Sequence, residues 1–277
     1  LVKALADRSL QKRSFWGRSY CPKCKHQLGW YDLIPIFSYL ILYGKCRYCH
    51  KKISTEYLWM EIVIGLLIAY VFSTSIPSSS LPSPIQLLEL FFKVFFITVL
   101  TIIFLTDFKK MLIPDRIIWP AMVTLLIWLI SLTLYKIGYL YFYLSQSLVG
   151  RLLLPPHSPY FIRHTQIMLE QFFFSILTAL FLAGFYLALI TITRGKGMGG
   201  GDVKLGAFMG LGLGFPNAVL ATFLSFLTGA AVAIFLIILG KKKFGQNLPF
   251  GPFLVLGSLV ALFWGNLILK WYLTLNP

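Results

Sequence analysis

Six long apolar runs most limit what this chain can fold into. About 20 apolar helical residues span the hydrocarbon core of a bilayer, and these runs have 17 to 23 residues. The runs are residues 57–76, 85–106, 117–135, 172–193, 217–239 and 253–269. With 58% hydrophobic and 12% charged residues, the composition excludes an ordinary soluble domain. The sequence therefore predicts an all-α polytopic membrane protein.

A seventh apolar run, residues 203–215, is short and rich in glycine. Lipid cannot satisfy the polar groups of an irregular backbone, so a thin or broken span must be buried against its neighbours. We therefore expect about seven transmembrane segments, one of them short.

The basic residues lie mainly on one side of this predicted topology. The net charge is +16, and if the chain re-crosses at each run, 20 of the 25 Lys and Arg residues share one face. Eleven of them precede residue 57, and the others are Lys109, Lys110, Arg116, Arg194, Lys196, Lys204, Lys241, Lys242 and Lys243. The positive-inside rule makes this face cytoplasmic. We expect a multi-pass protein of the cytoplasmic (inner) membrane whose basic surface meets anionic lipid, with no nucleic-acid partner.

All four cysteines lie in one stretch, as two CxxC pairs separated by 21 residues. This resembles a zinc ribbon, one residue beyond the usual spacing, in which four thiolates complete a tetrahedral shell. Two disulfides are the alternative, and the cytoplasmic location opposes them because thiols stay reduced there. We expect residues 1–55 to form a cytoplasmic zinc-ribbon-like domain. Its ligands to structural zinc are Cys21, Cys24, Cys46 and Cys49.

The remaining residues, 56–277, form the predicted transmembrane domain. Within it, residues 137–166 begin with several tyrosines and are expected along the outer interface, where Tyr is favoured. The sequence opens at Leu1 without Met, and its first residues resemble the cytoplasmic end of something longer. This leads us to expect a preceding helix.

Two of the nine acidic residues lie at the cytoplasmic edge of apolar runs. Asp107 follows the second run and Asp202 precedes the seventh, with two complete crossings between them, so both lie at one depth. Ionisable groups at the membrane edge are costly unless paired or hydrated, which makes them functional candidates. Two aspartates that meet there would share a proton. Such a pair suits amide hydrolysis, because one member takes a proton from water while the other donates to the carbonyl oxygen.

Each carboxylate also has a structural alternative. Asp202 and Asp115 are both suitable N-cap residues for the helices that follow them. Asp107 could pair in solvent with Lys109 or Lys110. Spacing alone leaves these alternatives open.

Glycines accumulate directly before Asp202, as Gly199, Gly200 and Gly201. Because glycine has no Cβ and tolerates positive φ, a substrate backbone could approach such a flexible hinge closely. An extended peptide could then be recognised by main-chain hydrogen bonds. We therefore expect a substrate-binding loop beside Asp202.

Four motifs follow one another along the chain: RSYCPKC with the later GWYDLIP, TDFKKMLIPD, GMGGGDVKLG and LPFGPFLVLG. Together they resemble the type IV prepilin peptidases, membrane aspartyl proteases of the GxGD type. The resemblance runs from about Arg18 to about Gly257, apart from residues 137–166, which look like an insertion. It implies an endopeptidase that cuts the basic leader from prepilins and pseudopilins at the cytoplasmic face. The catalytic pair carries over to Asp107 and Asp202.

The resemblance has further implications. Many members also methylate the new N-terminal amine with S-adenosylmethionine, an activity linked to the cysteine-bearing domain, and this chain keeps both CxxC pairs. It shows no glycine-rich methyltransferase fingerprint. Members usually begin with another span. Glu61 matches an acidic family position and is expected either in substrate or domain contacts or as an inward-facing, hydrogen-bonded glutamate. Lys204 could contact the aspartate pair or lipid phosphate, and Asp115 is kept as a supporting residue.

Two other classes of function are alternatives. A transporter would use the membrane-edge carboxylates to carry protons or cations, and the short glycine-rich run fits a broken transporter helix. The lack of internal repeats and the position of the carboxylates at one face count against it. A zinc-ribbon membrane adaptor without catalysis leaves the GGGD stretch unexplained. The oligomeric state is not predicted.

Overall fold

The computed structural model describes residues 2–10, 19–21, 23–34, 36–76, 82–195, 198–241 and 248–275. Within these ranges the chain is helical apart from loops and two isolated β-bridges, which confirms the all-α fold class. Five residues named above lie outside the described ranges: Leu1, Arg18, Lys196, Lys242 and Lys243.

Ten α-helices and one 3₁₀ turn, Trp30–Leu33, make up the described regular structure. In chain order the α-helices are α1 (Val2–Leu10), α2 (Phe37–Ile41), α3 (Glu56–Ser75), α4 (Pro84–Lys110), α5 (Asp115–Ser145), α6 (Leu148–Leu152), α7 (Tyr160–Ile192), α8 (Gly200–Leu213), α9 (Asn217–Ile238) and α10 (Gly251–Leu275). Six of them, α3, α4, α5, α7, α9 and α10, are long and apolar enough to cross a membrane. They correspond to the six apolar runs and confirm a polytopic membrane fold.

The described chain forms two compact units that divide between Thr106 and Asp107. The first unit contains α3 and the part of residues 19–55 that the structure describes, which we call the cysteine-bearing segment. The second contains Asp107 and all helices from α5 onward. The sequence predicts a domain boundary after residue 55, directly before α3 begins at Glu56. This boundary differs from the division between the two compact units, and it stays a prediction.

Helix α8 is the short span of the second unit, and it contacts α5, α7, α9 and α10. Its 14 residues reach only about 21 Å, less than the ~30 Å hydrocarbon core. A Cβ at Gly206 would overlap the ring of Tyr186, and one at Gly210 would overlap the backbone of Ala179. These glycines therefore let α7 approach closely. The short glycine-rich run is buried against its neighbours, as predicted.

The start of α8 differs from the sequence prediction. The helix begins at Gly200 rather than at residue 203, so Gly200 and Gly201 lie in its first turn and not in a flexible hinge. Glycine has a weak intrinsic helix propensity, but the hydrogen bond from the N–H of Gly199 to Asp202 caps this first turn, and Gly201 packs against Ile113.

Residues 137–166 are mostly helical. Helix α5 continues to Ser145 and α7 begins at Tyr160. With 31 residues, α5 is about 46 Å long, and its tyrosine-rich end therefore extends past a ~30 Å core. The outer-face location of this stretch and its status as an insertion stay predictions.

Candidate active site

Asp107 lies in the last turn of α4 and is buried, with 6% of its surface exposed. The backbone N–H of Gly251, the first residue of α10, donates to Oδ2 of Asp107 over 3.0 Å. Asp107 thereby satisfies one of the unpaired N–H groups at the start of that helix. The expectation of a solvent-exposed ion pair is wrong, because burial and this contact hold the side chain inside the second unit.

Asp202 is the third residue of α8 and is buried to a similar degree. The N-cap residue is Gly199, whose N–H donates to Oδ2 of Asp202 over 3.1 Å. The N-cap alternative is therefore wrong in position, although Asp202 does accept a hydrogen bond at the helix start. The start of α8 lies against the chain that follows α4, because a Cβ at Gly201, next to Asp202, would lie 3.0 Å from Ile113.

Two helix N-termini thus contribute N–H groups to the two aspartates. The N-terminal end of a helix carries a partial positive charge and favours a nearby anion. Negative charge on Asp107 or Asp202 is therefore stabilised by these backbone groups. The N–H of Gly251 can therefore hold the carboxylate of Asp107 in its buried position at the end of α4.

The three glycines before Asp202 have different surroundings. A Cβ at Gly199 or Gly200 would meet no atom within 4 Å, whereas one at Gly201 would lie 3.0 Å from Cβ of Ile113. Only Gly201 is therefore restricted by packing. Gly199 and Gly200 leave open space beside Asp202.

Lys204 and Asp115 form an ion pair between α8 and α5. Both side chains are partly exposed, and the pair connects the starts of the two helices. Asp115 is the first residue of α5, with Pro114 as the N-cap, so the N-cap expectation for Asp115 is wrong. The partner observed for Lys204 is Asp115, which differs from both expectations for this lysine.

Sequence reasoning missed three residues of this site: Gly251, Ile113 and Tyr186. The first lies in LPFGPFLVLG, which was used as a motif without a role for its glycine. Its contact joins residues 144 positions apart, and no local pattern reveals such a pairing. Tyr186 is fully buried, its ring packs against Gly206 of α8, and its hydroxyl donates to Oγ1 of Thr222 over 3.4 Å.

The four cysteines form one cluster in the first unit. Their Sγ atoms all lie within 4.8 Å of one another, and those of Cys21 and Cys49 are 3.9 Å apart. Tetrahedral zinc with Zn–S bonds of about 2.3 Å requires sulfur atoms about 3.8 Å apart, so the cluster fits this ion. All four are free thiols, which excludes the two-disulfide alternative in this structure.

Each CxxC pair lies in the same kind of tight turn. The carbonyl of Cys21 accepts from the N–H of Lys25, and the carbonyl of Cys46 accepts from the N–H of His50. A β-bridge encloses each turn. Tyr20 pairs with Gln27 around the first turn, and Lys45 pairs with Lys52 around the second. Burial raises the pKa of the Cys21 thiol, but hydrogen bonds from backbone groups outweigh burial and lower the pKa to about 7. A thiol with this pKa is readily deprotonated for metal binding.

Two carboxylates organise the chain around this cluster. Asp32, between the pairs, accepts from Nε of Arg47 over 2.8 Å and from the hydroxyl of Tyr48 over 3.2 Å. Glu61 on α3 accepts from the N–H of Ile36 over 2.8 Å. Glu61 is thus a hydrogen-bonded glutamate that joins the cysteine-bearing segment to the first apolar helix.

Two family models match parts of the chain. The model of the bacterial peptidase A24 N-terminal domain matches residues 2–75, which include the four cysteines. The model of the type IV leader peptidase family matches residues 159–234, which include Asp202.

Relatives named prepilin leader peptidase/N-methyltransferase match over almost the whole chain. The Aeromonas salmonicida (strain A449) protein is 31% identical over 93% of this chain and 75% of the relative. The Bacillus subtilis (strain 168) protein is 33% identical over 92% of this chain and 85% of the relative. The Legionella pneumophila protein is 29% identical, with coverage of 94% and 76%. No solved structure gives a significant match. The two family models and these relatives place the chain in the type IV leader peptidase family.

Proposed function

We propose that this protein is a prepilin leader peptidase with N-methyltransferase activity, and that Asp107 and Asp202 are its catalytic residues. The observation that carries the proposal is that Asp107 and Asp202 are both buried in the second unit, and that each accepts a hydrogen bond from a backbone N–H at the start of a helix. The relatives named for both activities support the same assignment. The substrates are prepilins or pseudopilins with a short basic leader.

The pair hydrolyses a peptide bond by general acid–base catalysis. The ionised aspartate takes a proton from water, whose oxygen attacks the scissile carbonyl carbon, while the protonated aspartate donates its proton to the carbonyl oxygen. The tetrahedral intermediate then collapses. The aspartate that took the proton from water gives it to the leaving amine, and the other aspartate takes a hydroxyl proton from the intermediate as the carboxyl group of the product forms. The pair thereby returns to its starting state with one proton. The two N–H groups at the helix starts hold the carboxylates in place during these transfers.

Gly199 and Gly200 provide the space for the substrate backbone. Their open surroundings leave room for an extended peptide beside Asp202. Its main chain can hydrogen-bond to loop backbone groups. Gly201 instead allows the start of α8 to pack against Ile113, and the pair of Lys204 with Asp115 supports that start.

Cys21, Cys24, Cys46 and Cys49 hold a structural zinc ion, which crosslinks a segment that has little core of its own. S-adenosylmethionine supplies the methyl group when bound. The described residues do not single out a set that fits this cofactor, so we assign none to it. The cysteine-bearing segment and the aspartates face the cytoplasm, as the distribution of basic residues favours.

Neither alternative class of function gains support from a structural observation. A transporter would need a pathway past the carboxylates. An adaptor without catalysis would have no use for two buried aspartates.

The test incubates the purified, membrane-reconstituted protein with a leader-bearing prepilin, with and without S-adenosylmethionine, and measures product masses. We expect a cut after the basic leader and one added methyl group when the cofactor is present. Asp107→Asn and Asp202→Asn should each slow cleavage at least about a hundredfold. Glu170→Gln, which changes an exposed carboxylate on α7, is the control. Rates of the wild type in both catalytic variants would refute the assignment.

A further inference from the structure

One side of α2 is apolar and exposed. Phe37, Leu40 and Ile41 are 67%, 57% and 69% exposed, and their spacing of three and four residues puts them on one side of a helical turn. Tyr39 lies on the other side, where its hydroxyl donates to the carbonyl of Ile53 over 3.4 Å. The apolar side therefore faces away from the part of the chain around Ile53.

Further large apolar side chains precede α2 in the same stretch. Residues 30–41 contain seven exposed large hydrophobic side chains, of which Tyr31 contacts Tyr48 through its hydroxyl. We call the other six the apolar face: Trp30, Leu33, Ile34, Phe37, Leu40 and Ile41. Such a concentration on a surface marks an interaction site rather than chance exposure. Trp is also favoured at the boundary between lipid and water.

The depth of this face follows from the hydrogen bond between Glu61 and Ile36. Ile36 directly precedes α2, and its N–H donates to Oε2 of Glu61 over 2.8 Å. Glu61 lies three residues inside the candidate span Leu58–Ser75, or about 4.5 Å along the helix axis. At 20 residues, α3 is just long enough to cross a ~30 Å core. The start of α2 is therefore held at the level of the membrane boundary.

The charges around the apolar face complement an anionic membrane surface. Residues 19–55 contain six Lys and Arg residues and a single acid, Asp32, which is already paired with Arg47. The exposed lysines are Lys23, Lys25, Lys45, Lys51 and Lys52. Basic residues next to a membrane attract anionic lipid head groups.

We infer that the apolar face inserts into the lipid interface and anchors the cysteine-bearing segment on the membrane that α3 crosses. Interfacial helices bury their apolar side about 5–10 Å into the boundary between head groups and acyl chains, which matches the depth set by Glu61. The partner is the bilayer surface with anionic head groups, and the inference does not depend on catalysis.

The experiment uses the full chain in bilayers that contain phosphatidylglycerol. A genetically encoded nitroxide side chain replaces Ile41 or, as the matched control, Lys51, which is exposed near the carbonyl that Tyr39 contacts. Collision rates with oxygen and with a water-soluble nickel chelate are then measured. We expect the ratio of oxygen to nickel collisions to be several-fold higher at Ile41. Equal ratios at both positions would overturn the inference.

Two further measurements separate the bilayer from a protein partner. Nickel collisions at Ile41 should be low before any substrate is added, and protection that arises only with a leader-bearing peptide would show a substrate-binding face instead. Phe37→Glu should raise nickel collisions at Ile41 several-fold, because a charge on this side of α2 opposes insertion. No change in this variant would contradict the lipid contact.

Discussion

At the scale of single residues, backbone N–H groups position the two aspartates. Gly251 and Gly199 each donate an N–H to one carboxylate, and both lie where a helix begins. Such donors stay fixed while charge moves during a reaction, which is the physical basis of electrostatic preorganisation. Small displacements of these glycines should therefore reach the proposed chemistry directly.

Gly251→Ala tests this contact. An added Cβ would lie 2.5 Å from Oδ2 of Asp107, so the carboxylate or the start of α10 must move. A misplacement of about 1 Å can cost about a hundredfold in rate, and we expect a loss of that order in prepilin cleavage. The rate is measured by separating leader and mature product.

Gly184→Ala is the control for this substitution, because a Cβ at this position in α7 meets no atom within 4 Å. It should cleave like the wild type. A Gly251→Ala enzyme with the same rate as this control would contradict the proposed role of the contact.

Asp32→Ala tests the hydrogen bonds between the two CxxC turns. The substitution leaves Arg47 and Tyr48 without this acceptor in a region where the Asp32 side chain is only 3% exposed. Loss of a charged hydrogen bond costs about 2 kcal/mol, so zinc should dissociate at a lower chelator concentration. A zinc indicator dye measures the release. Chelator resistance equal to that of the wild type would show that the zinc ligands alone hold this segment.

At the scale of elements, α8 is the helix that the second unit is built around. Its glycines give α7 a close approach, and its first turn carries Asp202. The packing of this helix therefore determines where one of the two carboxylates lies.

Gly210→Ala should separate α8 from α7, because the new Cβ would overlap the backbone of Ala179. Overpacking of this kind costs about 1–3 kcal/mol, so the midpoint of thermal unfolding in lipid should fall. Gly138→Ala in α5, where a Cβ meets no atom within 4 Å, provides the comparison. A midpoint in the Gly210 variant as high as in the comparison would mean that the helices are not tightly packed there.

Local patterns predicted the six apolar helices, the buried short helix and the four-cysteine cluster. Each of these depends on hydrophobicity or spacing within a short stretch of chain. The pairings of Asp107 with Gly251 and of Lys204 with Asp115 join residues 144 and 89 positions apart, and only the packed helices define them. The start of α8 was misplaced because the hydrogen bond from Gly199 to Asp202 and the packing of Gly201 against Ile113 outweigh the weak helix propensity of glycine.

At the scale of the whole molecule, the two aspartates belong to one compact unit and the four cysteines to the other. The proposed cleavage and the proposed zinc site therefore depend on different parts of the chain. Disturbing the metal should affect the two activities unequally.

Removal of zinc with a chelator should abolish methylation and leave most of the cleavage activity. The reason is that the cysteine-bearing segment has little core and loses order without metal, whereas the site of Asp107 and Asp202 keeps its contacts. Product masses before and after chelation, and after zinc is restored, measure both activities. Parallel loss of cleavage and methylation would contradict this separation.

The central claim is that Asp107 and Asp202 act as one catalytic unit. The most direct test compares single-turnover prepilin cleavage by Asp107→Asn, Asp202→Asn and the double variant. Residues that act together are strongly non-additive, so the double variant should be no slower than either single variant. Multiplied losses in the double variant, or cleavage near the wild-type rate in either single one, would contradict the claim.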